Sequence, residues 1–270
     1  MNKFFAVLAV FIAVLSCSKT DEKVVQEQKT PQKVEKTEPE VKIFKKEMKV
    51  FTIAEGSRNQ TKIDGRFDES YWKNASRDED FWLSRGTEPS PVKTTVMTAR
   101  DDKFLYVGFI AKDNDIYAEL KNTDDPLYDY DDVVEVFIDP TGRATPYFEM
   151  QVSAGGVKFD SRFSGGRRKN RDDSWDSGIV YGVSLDGTLN DPSDKDTGWS
   201  AEIAIPLKSI SENPPKNGEI WKAFFYRINR HTKLKKARKG DFSAWTPPFA
   251  GDFHNIRHMG DLIFSDEEIR

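Results

Sequence analysis

One cysteine and three histidines in 270 residues leave little with which to build a disulfide or a soft-metal site. A lone thiol, Cys17, cannot close an internal disulfide. His254 and His258 lie four apart, but no third soft ligand or helix accompanies them, so zinc is not expected and both are read as bonding within their loop. Positive charge is not in excess either. A formal net charge of −4 argues against a nucleic-acid partner, which needs a concentrated basic face. No apolar run beyond Leu15 is long enough to span a bilayer, no internal repeat is present, and no Ser–His–Asp nucleophile signature stands out. Helix-forming stretches are scarce.

What is present begins at the N-terminus. Lys3 precedes an unbroken apolar run from Phe4 to Leu15, then Ser16 and Cys17, the pattern of an export signal. Val14-Leu15-Ser16-Cys17 resembles a bacterial lipobox, with valine where leucine is usual. That resemblance implies a signal peptide over 1–16 and acylation of Cys17, which would anchor the chain in a lipid bilayer. Ser18 supplies no acidic retention signal, so the expected address is the cell envelope at the outer membrane. Residues 18–47 carry eight basic and seven acidic residues and no aromatic before Phe44, too little apolar surface to offset the entropy of ordering. Residues 17–47 are therefore expected to be a disordered tether.

From Met48 the texture changes to short apolar runs separated by turn residues. Strands are predicted at Met48–Ile53, Lys93–Ala99, Phe104–Ala111, Val133–Ile138, Tyr147–Val152, Val157–Phe163, Ile179–Leu185, Trp199–Ile205, Lys222–Ile228 and Asp261–Phe264. Glu69–Ala75 and Leu207–Ile210 are the only helical turns expected. Many even strands with little helix predict an all-β, antiparallel β-sandwich of immunoglobulin or jelly-roll type over 48–270. The most telling strand is 133–138. Val134, Val136 and Ile138 alternate with Val133, Glu135 and Phe137, so both faces are largely apolar, as in the middle of a packed sheet. Glu202, inside a strand ended by Pro206, predicts an edge or half-exposed position.

Five blocks stand in order along this body: Ile63-Asp64-Gly65-Arg66-Phe67-Asp68-Glu69-Ser70-Tyr71-Trp72; Ala99-Arg100-Asp101-Asp102-Lys103-Phe104-Leu105-Tyr106-Val107-Gly108; Asp132-Val133-Val134-Glu135-Val136-Phe137-Ile138-Asp139; Gly198-Trp199-Ser200-Ala201-Glu202-Ile203-Ala204-Ile205-Pro206; and Met259-Gly260-Asp261-Leu262. Together they resemble the family 9 carbohydrate-binding modules and their DOMON-related relatives over roughly 48–266. The resemblance implies a sandwich that grips a saccharide between two aromatic side chains, with calcium bracing its loops. The family tryptophans are absent in register: Tyr128, Asp129 and Tyr130 stand at one position, Phe253 and His254 at the other. Trp72 and Trp199 are read as core plugs.

Candidate ligand-binding residues are therefore Tyr128, Tyr130, Trp175, Trp245, Phe253, His254 and Arg143. Trp245 is offered as a stacking platform because it sits in the proline-flanked run Trp245-Thr246-Pro247-Pro248-Phe249. The acids Asp129, Asp131 and Asp132 are the first candidate calcium ligands, and Asp191, Asp194 and Asp196 the second. The basic hairpin Gly165-Gly166-Arg167-Arg168-Lys169-Asn170-Arg171 could touch acidic glycans or face water. The expected function is non-catalytic glycan binding by an anchored lipoprotein, with calcium the only cofactor considered and glycoside hydrolases as candidate partners. Three competing functions are a haem-binding electron-transfer domain, drawing on Met97, Met150 or Met259, a glycoside hydrolase, for which no pattern marks a facing carboxylate pair, and an envelope interaction scaffold.

Overall fold

The computed structural model describes residues 45–230 and 240–270. The export signal, Cys17 and nearly all of the tether lie outside the described residues. Among those described, fourteen strands occur: β1 Glu47–Ile53, β2 Ser76–Asp78, β3 Trp82–Leu83, β4 Thr94–Arg100, β5 Phe104–Lys112, β6 Val133–Asp139, β7 Tyr147–Ser153, β8 Lys158–Phe163, β9 Arg171–Asp172, β10 Val180–Asp186, β11 Gly198–Pro206, β12 Ile220–Arg230, β13 Gly240–Ala244 and β14 Gly260–Ile269. All ten expected strands form. The four missed ones are short, and their two to five residues cannot carry a readable alternation.

The hydrogen-bonded path runs β10-β11-β5-β4-β1-β14-β12-β6-β7-β8-β9, with β2 on β4 and β13 on β12. Its two arms close on one core. Val96, Val107, Phe109 and Ile203 from the first arm share that core with Val134, Val136, Met150 and Phe225 from the second. This is the expected sandwich, with one departure. β1 pairs parallel to both β14 and β4, and its register against β14 shifts between Val50 and Thr52. Such a shift locally bends and twists the strand.

Helix is confined to single turns. Leu207–Ile210 forms as expected, and Glu69–Ala75 narrows to a 3-10 turn at Ser70–Lys73. Trp72 and Trp199 are buried, as their patterns predict. Glu202 is not at an edge. Strand β11 lies between β10 and β5, and Glu202 is fully buried. Its carboxylate accepts the Trp72 Nε1–H at 3.1 Å and the backbone N–H groups of Asp64 and Gly65 at 3.2 and 3.3 Å. The turn Asp64-Gly65 is thus tied down onto β11, and Gly65 at φ 81° has no room for a side chain against the backbone of Gly182 and Ser184.

Candidate functional site

The outer face of the second arm is where buried polar groups collect. Register places them in two rows across four strands. Tyr226 of β12, Glu135 of β6, Gln151 of β7 and Phe159 of β8 stand side by side; Phe224, Phe137, Glu149 and Ser161 form the next row. Paired residues share a face, so Glu135 and Glu149 are diagonal neighbours, with backbones about 7–8 Å apart. Their rows floor a cavity of about 150 Å³, close to the volume at which an engineered cavity admits one six-membered ring.

Three chain segments wall this cavity. The helical turn Leu127–Tyr130 contributes Tyr128, the β8–β9 hairpin contributes Arg168 and Arg171, and the segment before β14 contributes Asp252, Phe253 and His254. The walls are joined to each other and to the floor. Arg167 pairs with Asp252 at 2.7 Å, linking the hairpin to the last segment. The Tyr147 hydroxyl accepts the backbone N–H of Arg168 and lies 3.0 Å from His254 Nδ1. The Phe253 ring lies flat on Tyr226, with centroids 3.8 Å apart, and its carbonyl accepts the Tyr226 hydroxyl. One face of Phe253 is thereby used in packing, and the ring borders the cavity as a fixed apolar wall.

The electrostatics follow from burial. Glu149 is pushed up to about 7, chiefly by desolvation and against the bond it accepts from Gln151 Nε2 at 2.6 Å. Glu135 is raised well above its usual range, by burial first and the Glu149 charge second. His254 is pushed down to about 4 by burial, with the Arg168 charge adding, so its imidazole is neutral at pH 7. Its Nε2 stands 3.9 Å from Glu149, beyond hydrogen-bond range. Among the described residues, two floor atoms have no hydrogen-bond partner: Glu135 Oε2 and Gln151 Oε1, on side chains only 1% and 0% exposed. A buried acceptor left unsatisfied costs about 1–3 kcal/mol. Both oxygens can accept a hydrogen bond, so a donor entering the cavity, from a hydroxyl-bearing ligand or from water, would satisfy them.

Of the sequence-predicted residues, Tyr128, Phe253 and His254 border the cavity. Tyr130 sits half-buried in the same helical turn but does not line it. Trp245 is a correction. It is 0% exposed, its N–H continues the ladder to the Phe225 carbonyl, and its ring lies 5.3 Å from Phe225 in the inter-sheet core. Its indole N–H donates to Asp78 at 2.9 Å. The residue therefore plugs the core and cannot be a stacking platform. Trp175 packs on Phe148 at the margin of that core, with centroids 4.9 Å apart, and Arg143 is exposed in the β6–β7 turn; neither lines the cavity.

Among the candidate calcium ligands, Asp131, Asp132 and Asp196 are engaged by backbone donors. Asp131 Oδ1 accepts the N–H of Glu119 at 2.8 Å, and Asp132 accepts those of Tyr117 and Arg230 at 2.7 and 2.5 Å. Asp196 likewise takes the N–H groups of Ile116 and Thr188. Among the described residues no group of three or more metal-ligating side chains comes together. These carboxylates brace loops through backbone bonds. Met97 and Met150 are core side chains and Met259 packs under Phe137 and Tyr226, so all three are accounted for by packing. Sequence reasoning missed Glu149, Gln151 and Arg168 as site residues. The readable signal was that Glu135, Glu149 and Gln151 are the long polar residues on one face of two otherwise apolar strands.

Comparison with known proteins places the chain among saccharide-associated folds. A family profile described as carbohydrate family 9 binding domain-like matches residues 63–267. A candidate carbohydrate-binding protein from Bacteroides uniformis superimposes with a TM-score of 0.63 at 15% identity, over 82% of this chain and 99% of that one. A family 9 carbohydrate-binding module from Caldicellulosiruptor kristjanssonii, solved with cellotriose, gives 0.56 at 16% identity, over 82% and 94%. The glucose complex of a family 9 module from the same organism gives 0.56 at 17%, over 82% and 96%. No curated protein matches the chain.

Proposed function

The chain belongs to the carbohydrate family 9 binding domain-like family, and from that premise we propose that it binds a saccharide, without transforming it, in the cavity over β6 and β7. The observation that carries this reading is the pair of unpartnered acceptors, Glu135 Oε2 and Gln151 Oε1, beneath a fixed phenylalanine wall. A sugar ring offers a C–H face to an aromatic and a rim of hydroxyl donors to buried oxygens. Solved family 9 modules carry cellotriose and glucose, which agrees with a ring-sized site.

Catalysis has weaker support. A glycosidase sets an acid and a second carboxylate on opposite sides of the scissile bond. Glu135 and Glu149 instead share one floor. Raised carboxyls here serve to accept and donate hydrogen bonds. The reading extends to location: export, acylation at Cys17 and a tether would hold the domain at the envelope, near hydrolases that release or consume the bound saccharide.

A glycan array followed by isothermal titration tests the binding reading. Wild type binds a saccharide, and Gln151→Ala and Phe253→Ala each lose at least tenfold in affinity. Binding that survives both substitutions places the ligand elsewhere. For the anchor, Cys17→Ser moves the protein from the membrane to the soluble fraction; unchanged fractionation contradicts acylation.

A further inference from the structure

We propose that the saccharide taken by this cavity is acidic, a uronic acid whose carboxylate meets Arg168 and Arg171 at the mouth while its hydroxyls meet Glu135 and Gln151 on the floor. The inference rests on the saccharide-binding reading and goes beyond it in naming the ligand's charge.

The distribution of basic residues carries it. The chain as a whole is net −4, yet Arg167, Arg168, Lys169 and Arg171 fall within five positions of one hairpin. Two of them have tasks. Arg167 pairs with Asp252 at 2.7 Å, and Arg171 gives its Nε to Asp173 at 2.5 Å while its guanidinium lies over the Phe159 ring. Arg168 has no ion pair among the described residues, yet it lines the cavity. Its backbone is held at φ 53°, in the left-handed region that an L side chain enters at a cost, by the bond from its N–H to the Tyr147 hydroxyl. A glycine would occupy that turn without strain; an arginine there puts a fork of donors beside the opening.

A guanidinium matches a planar carboxylate in two parallel hydrogen bonds, a fit that a hydroxyl cannot supply. The floor does not oppose an anion. Burial raises Glu149 to about 7 and raises Glu135 as well, which weakens the negative charge of the floor at neutral pH. Arg230 adds a positive charge near Glu135, while His254 is neutral and Asp252 and Asp173 are already paired with arginines. The cavity is thus lined by acceptors below and, above, by an arginine with no ion pair among the described residues, whose charge together with that of Arg171 also bears on Glu149.

The test is a glycan array containing matched uronate and neutral oligosaccharides, read with the full chain, Arg168→Gln and Lys169→Gln. The expected result is that uronate glycans bind at least tenfold more tightly than their neutral counterparts, that the margin shrinks as salt is raised, and that Arg168→Gln abolishes it. Lys169→Gln, an equal loss of charge outside the cavity lining, should keep the margin. Neutral glycans bound as tightly as acidic ones, or a preference that persists in Arg168→Gln, overturns the proposal and leaves the saccharide site standing. Binding to no glycan of either kind brings down the saccharide reading itself.

Discussion

Two buried glutamates sit on central strands of the two arms and are treated in opposite ways. Glu202 on β11 meets three donors, from Trp72, Asp64 and Gly65, and every contact fixes one segment of chain to another. Glu135 on β6 is as deeply buried, yet its Oε2 meets nothing. Burying a carboxyl is costly in both places, and in both burial raises its pKa. At Glu202 the cost is offset within the fold. At Glu135 it is left open at a cavity floor, which is what a site waiting for hydroxyl donors looks like. Satisfied burial marks architecture; unsatisfied burial at a cavity marks recognition.

The contrast can be pressed hardest through the tryptophan that sequence reasoning placed on the wrong side of it. Trp245→Ala should destabilise the domain by about 3–5 kcal/mol, since it empties a core position. Urea denaturation reads this directly. A near-native midpoint would return Trp245 to the surface.

A pH scan sharpens the same contrast on the cavity side. The folded-state pKa of Glu149, about 7, lies above its ordinary 4.5. The folded protein therefore holds this proton where the unfolded chain has lost it. That stabilisation is complete below about pH 4.5 and disappears as pH rises through 7. His254 acts oppositely between about 4 and 6.5, where the unfolded chain binds the extra proton. Comparing wild type with Glu149→Gln isolates the glutamate: the variant should gain relative stability from pH 5 to 7.5, by at most about 3 kcal/mol. A difference that stays flat across that range contradicts the raised pKa.

At the architectural glutamate, Glu202→Gln turns an amide N–H₂ toward existing donors. The expected loss is about 1–3 kcal/mol in thermal or chemical unfolding, with saccharide affinity unchanged. Reduced affinity without reduced stability would reverse the roles assigned to the two residues. The smallest effect is expected at the rim. Arg167 and Asp252 are both partly exposed, so Arg167→Ala should cost less than about 1 kcal/mol. A larger loss would mean that this pair, rather than the sheet beneath, holds the walls together.

The fold was legible because its signals are local and repeated. The alternation in β6 and the five family-like blocks each report on a few neighbouring residues. The parallel pairing of β1 was not legible, because register between distant strands is set by tertiary packing. The site was legible only in part. Tyr128, Phe253 and His254, singled out by their place next to known blocks, line the cavity. Trp245 was misread because prolines after it suggested an exposed loop, while its N–H in fact extends the β13 ladder and turns the ring inward. Glu149 and Gln151 were passed over because polar residues in a strand ordinarily face water. Here a hairpin and a loop cover that face, and nothing local to β7 announces the cover.

The most direct measurement is the saccharide affinity of Glu135→Gln taken together with its unfolding midpoint. The account predicts a midpoint equal to or above wild type, because an amide of the same shape replaces a costly buried carboxyl, and an affinity at least tenfold weaker. Undiminished affinity in that variant, or a collapse of stability like the one expected at Glu202, would contradict the claim that Glu135 is buried for a ligand.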